Sequence, residues 1–131
     1  MKKSLVGFCL FIYFFALTGC NSGNSSEVKC TVIGDTDGAQ KVTIIAFLDN
    51  DGKVSTISDI ATFASEEEAK ENLKYVSSVE KPYTALKGNT IEYSNLEEYS
   101  STYKSMIGLN RDDFITKLKY YVSSKGDVTC K

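Results

Sequence analysis

The 131-residue chain contains no histidine and no tryptophan. Histidine is the side chain whose ordinary pKa places proton transfer near neutrality, and it is the commonest metal ligand. Without it, imidazole acid–base relays, Ser-His-Asp triads, Cys-His nucleophiles and most transition-metal sites are removed together. None of the four cysteines stands in a Cys-x-x-Cys spacing, so a thioredoxin-like redox motif is missing too. Basic residues are few and scattered: 15 Lys and Arg against 17 Asp and Glu leave a formal charge of −2 and no stripe for phosphates, which argues against nucleic acid. No apolar run reaches the roughly 20 residues that a bilayer span takes.

The first apolar run is nevertheless placed to direct export. Lys2 and Lys3 precede an uncharged, mostly apolar segment from Ser4 to Ala16, the charged and apolar regions of a secretory signal. Leu17-Thr18-Gly19-Cys20 follows and resembles the lipobox of bacterial lipoproteins. The resemblance implies a signal peptide over residues 1–19, cleavage between Gly19 and Cys20, and a thioether-linked diacylglyceryl group with palmitate-like chains on Cys20. An ordinary secretory signal with a chance cysteine is the plainer alternative. Two or more acyl chains make a stable anchor, each buried methylene contributing about 0.8 kcal/mol. Loss of residues 1–19 takes two lysines and no acid, leaving 112 residues with a formal charge of −4, so the expected partner is the bilayer through acylated Cys20 and not through charge. Residues 20–26 hold the lipidated cysteine and a polar tether, Asn21 to Ser26, which averages about 13 Å end to end. The body is thus expected close to the extracytoplasmic face of the cell membrane.

Cys9 leaves with the signal and Cys20 carries lipid. Cys30 and Cys130 remain near the two ends of the domain expected over residues 27–131. In an exported protein such a pair reads as a disulfide; two buried free thiols or a redox pair are the alternatives.

From Glu27 to Phe63 the pattern has period two. Val28, Cys30 and Val32 alternate with Lys29 and Thr31, the turn Asp35-Thr36-Asp37-Gly38 follows, and Lys41 to Asp49 suits a central strand. Asn50-Asp51-Gly52 is a hairpin signal, and a third strand runs from Lys53 to about Phe63. Ser65 with Glu68 then forms a capping box, predicting a helix through Ala69, Leu73 and Val76 to about Val79. Pro82 ends that section, and Asn89 to Tyr93 reads as a short strand. Leu96, Tyr99, Tyr103, Met106 and Ile107 share one face of a second helix capped by Asn95. A third begins at Asn110, with Leu109 against Phe114 as a staple and Phe114, Leu118, Tyr121 and Val122 as its stripe; Gly126 closes it before a last edge strand with Val128 and Cys130. Strands first, helices later and a returning strand predict an α+β domain: an antiparallel sheet with two or three helices on one face, Cys130 lying beside Cys30.

These segments also carry a wider resemblance. The lipobox, Cys30-Thr31, KVTI at Lys41 to Ile44, DGKVS at Asp51 to Ser55, SEEEAK at Ser65 to Lys70, IGLNRDDF at Ile107 to Phe114 and the terminal Cys130-Lys131 resemble the small YehR-like lipoproteins. The resemblance implies location and fold. It brings no activity and no site residues.

Motifs that invite chemistry fail on position. DTDG at Asp35 to Gly38 and DNDG at Asp49 to Gly52 suggest calcium, but aligning the EF-hand glycine on Gly52 puts Phe47 first and Ser58 last, and aligning on Gly38 puts Ile33 first. Glu66, Glu67 and Glu68 fan around a helix and cannot converge on a metal. Ser101-Thr102-Tyr103-Lys104 fits S-x-x-K, but the accompanying S-D-N and K-T-G elements are missing. No catalytic residue, cofactor or metal is therefore expected. Seven tyrosines crowd the second half; the favoured reading is that they form the rim of a small core, and if they make a binding surface, Tyr93, Tyr99 and Tyr103 are its candidates. The favoured expectation is a non-catalytic envelope module that binds a protein, a peptide or a small ligand. The alternative is a small anchored enzyme using carboxylates or serine. A concave pocket with two inward carboxylates would favour the enzyme, and a tyrosine-lined patch the module.

Overall fold

The computed structural model describes residues 26–36 and 38–131. The expected signal, Cys20 with its lipid and the tether up to Ser25 lie outside the described residues, as does Asp37 of the first turn. The rest is an α+β arrangement: six antiparallel strands in one sheet, with three helices. The strands are β1 (Glu27–Thr36), β2 (Ala39–Leu48), β3 (Val54–Thr62), β4 (Thr84–Lys87), β5 (Thr90–Tyr93) and β6 (Asp127–Cys130), in the spatial order β4-β5-β3-β2-β1-β6.

Register follows the alternation of the sequence. Val28, Cys30 and Val32 pair with Ala46, Ile44 and Val42, and these in turn with Ile57, Asp59 and Ala61. One face of the sheet is thus apolar across three strands, with a single acid in its middle. The β2–β3 hairpin turns where expected. Asp49 Oδ1 accepts the backbone N–H groups of Asp51 (2.8 Å) and Lys53 (3.0 Å), and Gly52 takes φ 75°. That carboxylate is the hub of a turn.

The helices α1 (Glu66–Leu73), α2 (Ser101–Lys104) and α3 (Arg111–Val122) lie over the apolar face. Asn110 caps α3, its Oδ1 accepting the Asp113 N–H at 2.8 Å. Phe114, Leu118 and Val122, four residues apart, are buried against β1, β2 and β3. Each such side chain contributes about 1.5–3 kcal/mol on burial, so packing holds this 12-residue helix where propensity alone would leave it marginal.

Three expectations need correction. The first helix ends at Leu73, well short of Val79. Ser77 and Glu80 form a second reciprocal pair, Ser77 N–H donating to Glu80 Oε1 (3.2 Å) and Glu80 N–H to Ser77 Oγ (3.3 Å), which closes a separate turn just ahead of a 3₁₀ turn at Lys81–Tyr83. Asn95 does not cap a helix: it is left-handed (φ 50°) and turns its amide toward Thr56, while Ser100 caps the four-residue α2 and a 3₁₀ turn occupies Leu96–Glu98. Finally, β4 is an unexpected strand, joined to β5 through Gly88-Asn89 with Gly88 at φ 62°. A Gly-Asn pair between two short β-prone stretches was the available signal.

The last strand, β6, returns to pair with β1. Lys29 and Lys131 exchange backbone hydrogen bonds (3.1 and 2.8 Å), which makes the neighbouring Cys30 and Cys130 a closely spaced pair, Cα–Cα 4.0 Å, joined as a disulfide. At the other end of the β1–β6 pairing, Gly34 and Gly126 approach so closely that a Cβ on Gly126 would strike the Ile33 carbonyl oxygen, and one on Gly34 would lie 2.5 Å from the Lys125 carbonyl oxygen.

Two stability experiments follow. Closing a loop of 100 residues stabilises by up to about 4.7 kcal/mol in the chain-entropy account; reductant should lower the melting temperature of the wild type to that of a Cys30→Ala/Cys130→Ala variant, and an unchanged melt would contradict a bridge. Gly126→Ala combines a backbone collision with φ 154° and should cost at least about 2 kcal/mol in denaturant unfolding, whereas Gly52→Ala, whose Cβ meets nothing within 4 Å, should cost about 1 kcal/mol.

Candidate functional site

The core is divided. One cluster gathers Val28, Cys30, Val32, Ile44, Ala46 and Ile57 under α3; a second gathers Ala39, Ala61, Phe63 and Ile91 around Ala69 of α1. Helix α1 makes most of its strand contacts with β4 and β5, and α3 with β1 and β6, while their buried side chains reach inward to β2 and β3. Between the clusters lies a cavity of about 640 Å³.

Its floor is Val32, Val42, Ile44, Ala61 and Phe63. Tyrosines make the walls. Tyr93 comes from β5, Tyr99 and Tyr103 from the segment around α2, and Tyr121 from the end of α3. Tyr103 meets Tyr121 edge to face (centroids 5.7 Å), and Tyr99 is backed by the stacked ring of Tyr83 (5.4 Å). The three tyrosines named from the sequence therefore line one hollow. Tyr75 and Tyr120 instead stand in solvent, 81% and 84% exposed.

The group that sequence reasoning missed is Asp59. It shares the inward parity of Ile57 and Ala61, flanked across the sheet by Ile44 and Tyr93, and it lines the cavity. Its Oδ1 is sealed from solvent and has no hydrogen-bond partner; among the described residues the only other such side-chain atom is the Tyr99 hydroxyl, in the same cavity. Burial, with the Glu80 carboxylate adding to it, raises the Asp59 carboxyl to about 7. Burial likewise pushes the Tyr99 and Tyr103 hydroxyls upward, Asp59 adding to both, so these two stay neutral donors. An acid at a core-parity position between Ile57 and Ala61, with Phe63 continuing the same parity just past the strand, was the signal that marked it.

Glu80 forms part of the wall, and one of its oxygens is engaged by the Ser77 N–H. Glu97 points elsewhere, accepting Thr56 Oγ1 (2.7 Å) and the Ile57 N–H (2.9 Å). Ser101 and Lys104 of the S-x-x-K stretch are both exposed. Cys30 and Cys130 tie strands together, and Cys20 is outside the described residues. Compared with protein families, with curated proteins and with solved structures, the chain matches none.

An apolar hollow with aromatic walls and one unpaired carboxyl can enclose a small ligand, neutralise a cation or exchange a proton near neutrality. The unfolded chain would titrate Asp59 near 3.8 and the fold titrates it at about 7. Across that window the fold holds the extra proton, so stability falls as pH rises from about 4 to 7 and this group causes no further loss above. Asp59→Asn should therefore flatten part of that slope and melt several degrees above the wild type at pH 8, with little difference at pH 4. Parallel melting curves at both pH values would contradict the burial of this carboxyl.

Proposed function

We propose that the protein is a membrane-anchored bacterial lipoprotein whose folded body is a non-catalytic binding module, receiving its ligand in the tyrosine-lined cavity. The observation that carries this reading is the cavity itself. At about 640 Å³ it falls within the roughly 300–1,000 Å³ usual for small-molecule sites, and it leaves two buried polar atoms, Asp59 Oδ1 and the Tyr99 hydroxyl, without protein partners. Buried polar groups are normally satisfied, and each orphan costs about 1–3 kcal/mol, so a hollow holding two of them is fitted to something that enters it. The ligand is a small molecule, or a group presented by an envelope protein or peptide. The lipobox-like Leu17-Thr18-Gly19-Cys20 supports anchoring at the extracytoplasmic face of the membrane, where a tethered module meets its partner at high effective concentration.

A second reading is favoured by one specific observation: the cavity is lined by two carboxyls, Asp59, titrating at about 7, and Glu80, which is the arrangement expected of an enzyme and suited to general acid–base work. Turnover of an envelope substrate by the purified protein, abolished by Asp59→Asn with the fold intact, would establish that reading over the binding module.

Two measurements test the proposal. Cys20→Ser should leave a folded chain that loses its acyl mass and shifts from the detergent phase to the aqueous phase; a variant still carrying lipid would refute the anchor. Tyr99→Ala and Tyr103→Ala should reduce capture of partners cross-linked to the native anchored protein while Tyr75→Ala and Tyr120→Ala, in solvent, leave capture unchanged. Equal capture by all four would place binding away from the cavity.

A further inference from the structure

We infer that the cavity recognises an organic ammonium ion, its cationic head set against Asp59 among the tyrosine rings and its apolar body laid on the sheet. This rests on the reading of the cavity as a ligand site and names the class of ligand.

Three observations converge. Of the two acids lining the hollow, Asp59 has an oxygen with no protein partner, and a cationic group is what its ionised form lacks. Tyr93, Tyr99, Tyr103 and Tyr121 surround the space above it, and aromatic faces attract cations by about 0.5–2 kcal/mol each depending on desolvation. The floor is apolar, so it suits the hydrocarbon part of an amine and offers nothing to a hydrated inorganic ion. Charge has the same sense: Asp59 and Glu80 line the cavity against one lysine, Lys125, whose side chain is exposed. A neutral apolar ligand would leave the carboxyl unpartnered, and an anion would meet two acids.

The binding should be linked to protons. The titratable groups lining the cavity with Asp59 are Glu80 before the 3₁₀ turn, Tyr93 of β5, Tyr99 and Tyr103 beside and within α2, Tyr121 at the end of α3 and Lys125 just beyond it; across the sheet Asp59 pairs with Ile44 and Tyr93. The tyrosines Tyr99 and Tyr103 stay neutral, so Asp59 is the member of this set whose ionisation near neutrality gates a cation. With ionisation at about 7, the ion-accepting fraction, and with it the apparent affinity, rises about tenfold between pH 6 and pH 8.

The test uses the full-length chain in an uncharged maltoside micelle, with choline, butylamine and the neutral choline isostere 3,3-dimethylbutan-1-ol as probes. Tyrosine fluorescence, unmasked because the chain has no tryptophan, and amide chemical shifts report binding. Choline or butylamine should perturb Asp59, Tyr99 and Tyr103, with affinity about tenfold higher at pH 8 than at pH 6. Asp59→Asn, which keeps shape and removes charge, should lose at least tenfold in affinity and all pH dependence. Tyr103→Leu should weaken binding where Tyr103→Phe, retaining the ring, does not. Binding of the neutral isostere as tightly as choline would overturn the ammonium assignment while leaving the cavity a ligand site. Unaltered affinity in Asp59→Asn, or no response to either cation at millimolar concentration, would overturn it outright.

Discussion

A six-stranded sheet is wider than the helices laid on it here, and the rest of the structure follows from that mismatch. Strands repeat at about 4.8 Å, and the backbones of α1 and α3 lie nearest the strand pairs β4–β5 and β1–β6 at opposite sides, with side chains reaching inward to β2 and β3. Four strand spacings separate the centres of those pairs, about 19 Å, whereas packed helices approach to about 8–10 Å. The gap is nearly one helix wide. The segment 95–105 that crosses it is only a 3₁₀ turn and a four-residue helix, so it roofs the gap without filling it. The cavity is thus a result of where two good helices are docked, and its aromatic walls come from the broken segment between them.

Much of this was legible. Period-two alternation specified the inward face of β1 to β3, because a slip of one residue would have turned Val28, Cys30 and Val32 to solvent. The Asn110 and Ser65 caps were readable for the same reason that they work: a short polar side chain reaches a free N–H three residues on. Where the chain is weakly patterned the reading failed. Tyr75, Val76 and Ser77 continue a helical spacing, but their propensities are poor and a nearby Ser77-Glu80 pair competes for the same backbone, so α1 stops early. The placement of Tyr93, Tyr99 and Tyr103 around one hollow depended on pairings between distant strands that no local pattern encodes. Asp59 was visible in principle, as an acid in register with aliphatic neighbours, yet an acid on a strand is noticed only once the inward face is known.

Asp59 illustrates how a buried acid is held in a small body. Its position between Ile44 and Tyr93 is fixed by the ladders on both sides of β3, so the carboxyl cannot swing out to water as a loop side chain would. Ionisation in that position opposes folding, and the opposition is tolerated because two separate hydrophobic clusters flank it. A Leu or Val there would join the clusters into one continuous core. The chain instead keeps a polar group on the inward face of a central strand, a departure from core patterning of the kind functional sites impose.

The bridge between Cys30 and Cys130 has a role beyond holding the fold against heat. The three long strands are flanked on one side by β5 and β4 and on the other by β6, both outermost strands being four residues long. Short outer strands offer little template to another chain. If β6 peeled away, the ten-residue β1, with its row of backbone donors and acceptors, would become the rim of the sheet, ready to recruit the strand of a neighbouring molecule. The covalent link keeps that rim closed, so it acts as a guard against self-assembly wherever copies of the chain are crowded together.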